Sequence, residues 1–391
     1  MKTPATITLF LFALCAAAQD SLQIQDHTNT PSATKWEVRG YIKQLNAVAL
    51  DPQLRYIAST ALLHNRLNLR WKPEEKWSAA LELRNRVLWG DELRLIPDYT
   101  NLLRNTSEWA NLQKAWVSQP GIIVHTNVER LWLQWQTQRL TLRAGRQRIN
   151  WGVTTNWNPN DLFNTFNFLD FDYEERPGAD AVSLQYQLKG DADLELAASG
   201  NGHVNGQVVA LRYHFNRNAY DYYLLAGWFN NQPTVGAAWA GSINDAGFKG
   251  ELQWFPAAAG ATATLNLATE LDYVFKKGWY FNTGLLYTSR GTTAEISNLN
   301  LPLFRFSPKN LMPTRWNITA TGMKEISTLF SASCTFIFAP GTDLLLLLPS
   351  VRYNLAQNID ADFFCQSFLA GRQNRLRAQA TRGFLRIRWS F

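Results

Sequence analysis

The chain has 391 residues, 38 basic against 31 acidic side chains for a net charge of +7, 46% hydrophobic residues and 16 tryptophans. That apolar content never gathers into a helical span. The longest apolar run after the N-terminal segment, Leu344 to Leu348, stops at Pro349, far short of the about 20 residues a membrane helix needs. With three cysteines in all and no CxxC, neither a disulfide framework nor a zinc knuckle is written into the chain.

In chain order, residues 1–18 read as a secretory signal peptide. Lys2 gives the positive end, Ile7 to Cys15 the apolar stretch, and Ala16-Ala17-Ala18 a small-residue cleavage site before Gln19. Cys15 follows Leu14 rather than a small residue, which argues against a lipid anchor. Residues 19–35 form a short polar leader, too small for a plug domain, and 36–391 then read as one domain.

Period-two alternation runs from Trp36 to the last residue. In 77–89, Trp77, Ala79, Leu81, Leu83, Val87 and Trp89 share one face, with Ser78, Glu82, Arg84 and Arg86 on the other. Segments 60–71, 262–275 and 278–289 repeat the pattern. Aromatic residues close the apolar faces (Trp36, Trp71, Trp77, Trp89, Trp254, Trp279, Trp389), as interfacial girdles require. The fold class is therefore all-β, a transmembrane antiparallel β-barrel.

Spans are expected at 36–48, 60–71, 77–89, 128–136, 139–149, 180–188, 192–199, 207–215, 220–229, 233–241, 247–255, 262–275, 278–289, 314–324, 328–338, 343–353, 359–370 and 376–391. That makes about eighteen strands, an even number that places both termini on the periplasmic side. Short connectors follow even-numbered spans, and the long ones, 90–127, 150–179 and 290–313, follow odd-numbered spans. This is the short-turn, long-loop asymmetry of outer-membrane barrels. Within 90–127 the Pro120-Gly121 turn joins two further apolar stretches, either a raised hairpin or part of the wall, and sixteen strands is the alternative count.

With lipid-facing positions assigned, the lumen positions follow. Arg39, Lys43, Arg66, Arg70, Arg84, Arg86, Arg386 and Arg388 fall on spans that become neighbours on closure, and Arg143 joins them from the fifth span. Glu37 and Glu82 neutralise part of this basic wall, and Glu251, Glu270 and Asp272 face it from the far side. A transverse field that concentrates anions is the expectation; the alternative is charges that merely pair and hydrate a wall. The aromatic-rich loop 150–179 carries Asp161, Asp170, Asp172, Glu174 and Glu175, and is expected to fold into the lumen as a constriction with its acids facing Arg143. Asn158-Pro159-Asn160-Asp161 lacks the spacing of a calcium loop.

No catalytic residues, metal site or cofactor are expected, and nothing suggests an enzyme or a nucleic-acid partner. None of the five histidines has a neighbouring Ser and acid arranged for nucleophilic work, and no metal-ligand spacing or dinucleotide motif occurs. The chain ends Leu385-Arg386-Ile387-Arg388-Trp389-Ser390-Phe391, alternating up to a terminal aromatic. This resembles the C-terminal signal read by the barrel assembly machinery, with Trp389 and Phe391 as its aromatic residues.

The stretch Leu140 to Gly152, containing Gly145-Arg146-Gln147, followed by Asn158-Pro159-Asn160-Asp161 and Arg176-Pro177-Gly178, is similar to outer-membrane channels of the alginate-export and related porin-like families. The resemblance covers about forty residues. It implies an eighteen-strand channel with an arginine-lined lumen for anionic saccharides or other small anions, with Arg143, Arg146, Gln147 and Arg148 as matching pore residues. The expected function is passive diffusion of small hydrophilic, anionic solutes through the cell outer membrane of a Gram-negative bacterium. The expected partners are outer-membrane lipid, the assembly machinery and a small anionic solute, with a homotrimer as one assembly. A barrel scaffold of a secretion or surface-assembly system is the alternative, and an outer-membrane barrel enzyme a more remote one.

Overall fold

In a computed structural model, the described residues are 35–391 apart from 105–107, 166–176, 201–205, 259, 297–303, 305 and 373–374. The expected signal segment and nearly all of the leader lie outside them. The chain forms β1 (Trp36–Leu50), β2 (Tyr56–Glu74), β3 (Trp77–Gly90), β4 (Gln113–Gln119), β5 (Ile122–Gln136), β6 (Leu140–Gln147), β7 (Ala179–Gln187), β8 (Asp193–Ser199), β9 (Val208–Arg217) and β10 (Tyr220–Phe229). It continues through β11 (Gln232–Ile243), β12 (Ala246–Phe255), β13 (Thr264–Val274), β14 (Trp279–Thr288), β15 (Trp316–Glu325), β16 (Phe330–Ala339), β17 (Leu344–Ala356), β18 (Ile359–Arg372) and β19 (Arg375–Ser390). Two single-turn helices, α1 (Glu92–Leu95) and α2 (Tyr99–Leu102), follow β3.

Every neighbouring pair is antiparallel, and β1 pairs with both β2 and β19, so the sheet closes on itself. Closure is needed because an open edge inside a membrane would leave backbone N–H and C=O groups without partners. Two reciprocal bonds finish the seam: Gly40 N–H donates to Phe391 O, and Phe391 N–H to Gly40 O, each at 2.9 Å. Gly40 has no side chain for a steric reason. A Cβ there would lie 2.7 Å from the Phe391 ring and 2.4 Å from Arg66 O. The short turns use residues that tolerate left-handed backbone: Asn218-Ala219 (φ 53° and 61°) and Asn230-Asn231 (φ 48° and 64°) have positive φ at both central positions, as two-residue hairpins need.

Eighteen strands form the wall, and all eighteen expected spans are present. The region after β3 resolves the alternatives left open by Pro120-Gly121. The fourth wall strand does not begin at 128: β5 runs from Ile122 and pairs with β3 as far as Trp89↔Ile122. The preceding stretch is β4, an additional strand on the opposite edge of β5, spanning Gln113↔Asn127 to Gln119↔Ile122. The lower part of that same edge belongs to β6, from Leu131↔Arg146 to Gln136↔Thr141. The wall therefore forks where β6 stops and β4 begins. Gly145 (φ 115°) lies at the fork, where a Cβ would meet Leu131 O at 2.2 Å.

Burial alternates with the pleat. On β2 the inward Leu62, His64 and Arg66 are 6%, 1% and 2% exposed, while Trp71 is open on the outside. Outward Leu196, Val209, Leu211, Leu224, Val235 and Trp254 are all exposed, an apolar surface that only lipid or another apolar phase covers without cost. Among the described residues no helix is long and apolar enough to cross a membrane; the strands do that work.

Candidate functional site: the lumen and its inserted loop

After β6 the chain turns inward. Residues 148–165 run along the inner surface from β8 to β15, and carboxylates on the wall hold them there. Glu251 on β12 is completely buried. Its Oε1 accepts from Val153 N–H (2.6 Å), Thr154 N–H (2.8 Å), Thr154 Oγ1 (2.9 Å) and Asn158 Nδ2 (3.0 Å), and its Oε2 from Asn160 N–H (3.0 Å). Glu270 on β13 takes the Thr155 N–H at 2.7 Å and its hydroxyl at 2.6 Å. Glu195 on β8 accepts from the Trp151 indole at 2.9 Å, and Asn160 Nδ2 donates to Ala237 O at 3.0 Å. A loop without regular structure has backbone groups that must find partners once it leaves water. Here the wall supplies them.

This changes the reading of the acids. Asp161 is 1% exposed and does not face Arg143; its Oδ1 accepts from Trp151 N–H (2.8 Å) and Gly152 N–H (2.7 Å), tying the loop to itself. Asp170, Asp172, Glu174 and Glu175 lie outside the described residues. Glu251 and Glu270, read as the free acidic side of the lumen, are loop anchors instead. The reason is local: a loop rich in N–H and amide donors competes for those carboxylates more closely than arginines across the pore. Asp272 keeps an ion pair with Lys249 at 3.5 Å.

The basic side is also less free than its sequence suggests. Arg66, Arg84, Arg86 and Arg386 are 2%, 3%, 6% and 6% exposed, and Lys43 is fully buried. Arg66 pairs with Glu82 at 2.5 Å, Arg386 with Asp362 at 2.9 Å, and Arg84 lies 3.7 Å from Glu129. Glu129 escaped the sequence reading because a bulge in β5, where Glu82 pairs with Arg130 and Leu83 with Val128, turns both Glu129 and Arg130 inward. Arg86 contacts His125 (3.1 Å) and Leu103 O (3.2 Å). Residues 91–104 fold in above this sector: Glu92 binds Arg382 and accepts from Thr60 at 2.6 Å, and Leu93 packs with Leu45, Leu62, Leu88 and Ile123.

Arg39, Arg70, Arg143 and Arg388 are more open. Arg39 pairs with Glu37 at 2.6 Å, and Arg388 lies 4.5 Å over the Tyr41 ring. Arg70 and Arg143 have no carboxylate within ion-pair distance among the described residues. Both flank one indole: their guanidinium carbons lie 6.0 and 4.6 Å from the Trp132 ring, and Arg143 Nε donates to Gln134 Oε1 at 2.8 Å. Ala80, between Arg70 and Trp132 in the register, leaves space beside them.

Arg146 and Gln147, read by resemblance as pore residues, are structural in this arrangement. Arg146 fills the fork, bound to Glu108 (3.0 Å), Asp180 (2.8 Å), Val128 O (2.8 Å) and Ala110 O (2.5 Å). Gln147 Nε2 donates to Ala181 O at 2.9 Å. Arg148 is exposed near Asn150. A second inserted segment, 306–315, was not anticipated. Its Pro308 O accepts from Asn266, and Lys309 donates to Gln232 while its ammonium lies 5.5 and 5.2 Å from the Phe229 and Phe255 rings. Burial lowers the Lys309 pKa. Nothing in the local sequence marks 306–315 as lumenal, because the wall residues named here lie 42 to 80 residues away.

No family model and no curated protein matches the chain. Solved structures do. Acinetobacter baumannii OccAB4 superposes with a TM-score of 0.56 at 10% identity, over 93% of this chain and 100% of that one. Pseudomonas aeruginosa OccK11 (OpdR) gives 0.56 at 9% identity, over 91% and 96%. The outer membrane protein OpdK of the same organism gives 0.53 at 10% identity, over 91% and 99%. The fold is thus that of a porin-like outer-membrane barrel. The likeness is to Occ and Opd porins and does not support the alginate-export family in particular.

Proposed function

We propose that the protein is a diffusion channel of the Gram-negative outer membrane that prefers small anionic solutes. A closed wall with an apolar exterior, a charged interior and a loop docked across the lumen is suited to filtering rather than to chemistry. The observation that carries the anion preference is the pair Arg70 and Arg143, two cations without a carboxylate beside Trp132. The other basic side chains on this wall are largely spoken for. A guanidinium that keeps N–H donors free offers a carboxylate, sulfate or phosphate a charged contact and then releases it to bulk water. The Trp132 face adds an apolar surface against which the carbon skeleton of such a solute can lie.

The test is the reversal potential of single channels in a planar bilayer under a salt gradient. Wild type should be anion-selective at low salt, and the Arg70→Gln/Arg143→Gln variant should lose most of that preference with its conductance retained. The difference should shrink near 1 M salt, where the screening length falls to about 3 Å. An unchanged reversal potential at low salt would remove the basis for the assignment.

A further inference from the structure

The inner wall carries a row of buried oxygens that loop docking leaves unanswered. Gly236 on β11, Gln253 on β12, Asn266 on β13 and Thr288 on β14 are successive register partners, so they stand side by side at one level. Gln253, Asn266 and Thr288 are buried, and so is Asn160 of the docked loop. The three amides spend their donors elsewhere. Gln253 Nε2 donates to Thr234 Oγ1, Asn266 Nδ2 to Pro308 O (2.6 Å) and Asn160 Nδ2 to Ala237 O (3.0 Å). Gln253 Oε1, Asn266 Oδ1 and Asn160 Oδ1 then accept from no donor among the described residues, and the Thr288 hydroxyl makes no bond there either. A buried acceptor without a donor is costly.

Gly236 gives two of these oxygens their meeting place. A Cβ built there would lie 2.8 Å from Asn160 Oδ1 and would overlap Gln253 Oε1 outright. Two carbonyl oxygens gathered around one point repel each other unless something positive lies between them. Turning the Gln253 amide would aim its Nε2 at Asn160, but that takes the Thr234 hydroxyl away from Trp254 O, where it donates at 3.0 Å. It would also leave Asn266 Oδ1 as it was.

From this geometry we infer that the row holds a monovalent metal cation, which pins the docked loop to β12 and β13. Amide and hydroxyl oxygens are ligands for hard cations, and they replace the hydration shell of the ion. The surrounding charges select the valence. Glu251, two residues from Gln253 on the same face, brings one negative charge, and its Oε2 accepts only from Asn160 N–H (3.0 Å) among the described residues. Lys309, next to Pro308, donates to Gln232 and holds its ammonium 5.2 Å from the Phe255 ring, so one positive charge already stands nearby. Calcium sites commonly gather several carboxylates, whereas neutral oxygens with a single acid suit sodium or potassium. The inference depends on the docked loop and not on the anion preference of the pore.

The test is the midpoint of heat-modifiable unfolding of the full-length protein in neutral detergent. Sodium, potassium and calcium chloride are each compared with choline chloride at equal ionic strength. Wild type should unfold about 2 °C or more higher in the sodium or potassium salt, with the ion at about ten times its dissociation constant. Gly236→Ala, whose Cβ takes the place of the ion, should lose that difference. Gln253→Leu should lose it too. With no oxygen to strand, it should be at least as stable as wild type in choline chloride, which keeps the test open if Gly236→Ala assembles poorly. Thr269→Leu, on the outward side of β13, should keep the difference. Equal wild-type midpoints in every salt would mean that water fills the row, and would overturn the inference. So would a rise produced by calcium alone, or a sodium effect that survives in both Gly236→Ala and Gln253→Leu.

Discussion

Glu251→Ala is the perturbation that separates the barrel from its loop. The side chain is fully buried and accepts from three backbone N–H groups, one hydroxyl and one amide. Leaving the Val153, Thr154 and Asn160 N–H groups buried without an acceptor would cost about 1–3 kcal/mol each, or about 3–9 kcal/mol as a ceiling. The wall need not bear that cost, because β12 keeps its ladders to β11 and β13 whatever the loop does. The cheaper response is for 148–165 to leave its dock and find water. The variant should therefore assemble with normal heat-modifiable mobility yet show higher single-channel conductance and greater open-channel noise. Glu251→Gln keeps the shape and one acceptor oxygen, so it should fall between the two. Unchanged conductance and noise in a folded Glu251→Ala channel would mean that the loop does not limit the pore, or that Glu270, Glu195 and Ala237 hold it unaided.

Leu83→Arg places a cation on the lipid face and should destabilise the barrel by about 2–4 kcal/mol if it lies at the midplane. Arg84→Gln, which alternation alone would have made harmless, should also destabilise, because it leaves Glu129 buried beside a lost partner; urea titrations of both in liposomes check this. Arg146→Met should cost about 3–5 kcal/mol by stranding Glu108 and Asp180 in the fork, read by the same titrations. Removing Phe391, or Gly40→Val at the seam it packs on, should sharply lower the yield of heat-modifiable protein in the outer membrane.

Period-two patterning is a local signal, so the strands and their faces could be read directly from segments such as 77–89. Arg66, Arg84 and Arg386 were placed on the inner face for the same reason. What alternation does not encode is a change of parity within one strand. The β5 bulge that brings Glu129 beside Arg84 inserts a residue that no hydrophobic pattern announces. That the loop after β6 turns into the lumen was legible from its length and aromatic content, but the wall residues that hold it were not, since the Glu251 contacts join residues 91 to 98 apart. Long loops also hide strands. The stretch of β4 reads equally as a limb of a raised hairpin or as part of the wall because its apolar pattern does not say which edge of β5 is vacant, and that edge is open only because β6 stops at Gln147.

The docked loop bears on the field inside the pore as much as on its width. Facing walls of opposite charge would have set a transverse field, with attraction of an anion on one side reinforced by repulsion on the other. Instead the acids of β12 and β13 accept from loop N–H groups, and a carboxylate surrounded by fixed donors presents little net potential to a passing ion. On the opposite wall most arginines are matched by Glu82, Glu129 and Asp362. Arg70 and Arg143 have no carboxylate within ion-pair distance among the described residues, and both lie beside Trp132. On the proposed function, an anion would meet attraction from one side without matching repulsion from the other. Selectivity should then depend on a few residues rather than on the summed charge of the wall. Neutralising buried Arg66 or Arg386 should alter stability more than selectivity, whereas Arg70→Gln or Arg143→Gln should do the reverse. Urea titration and reversal potential measured on all four single variants give a direct comparison, and a selectivity loss that tracks total charge irrespective of position would refute the argument.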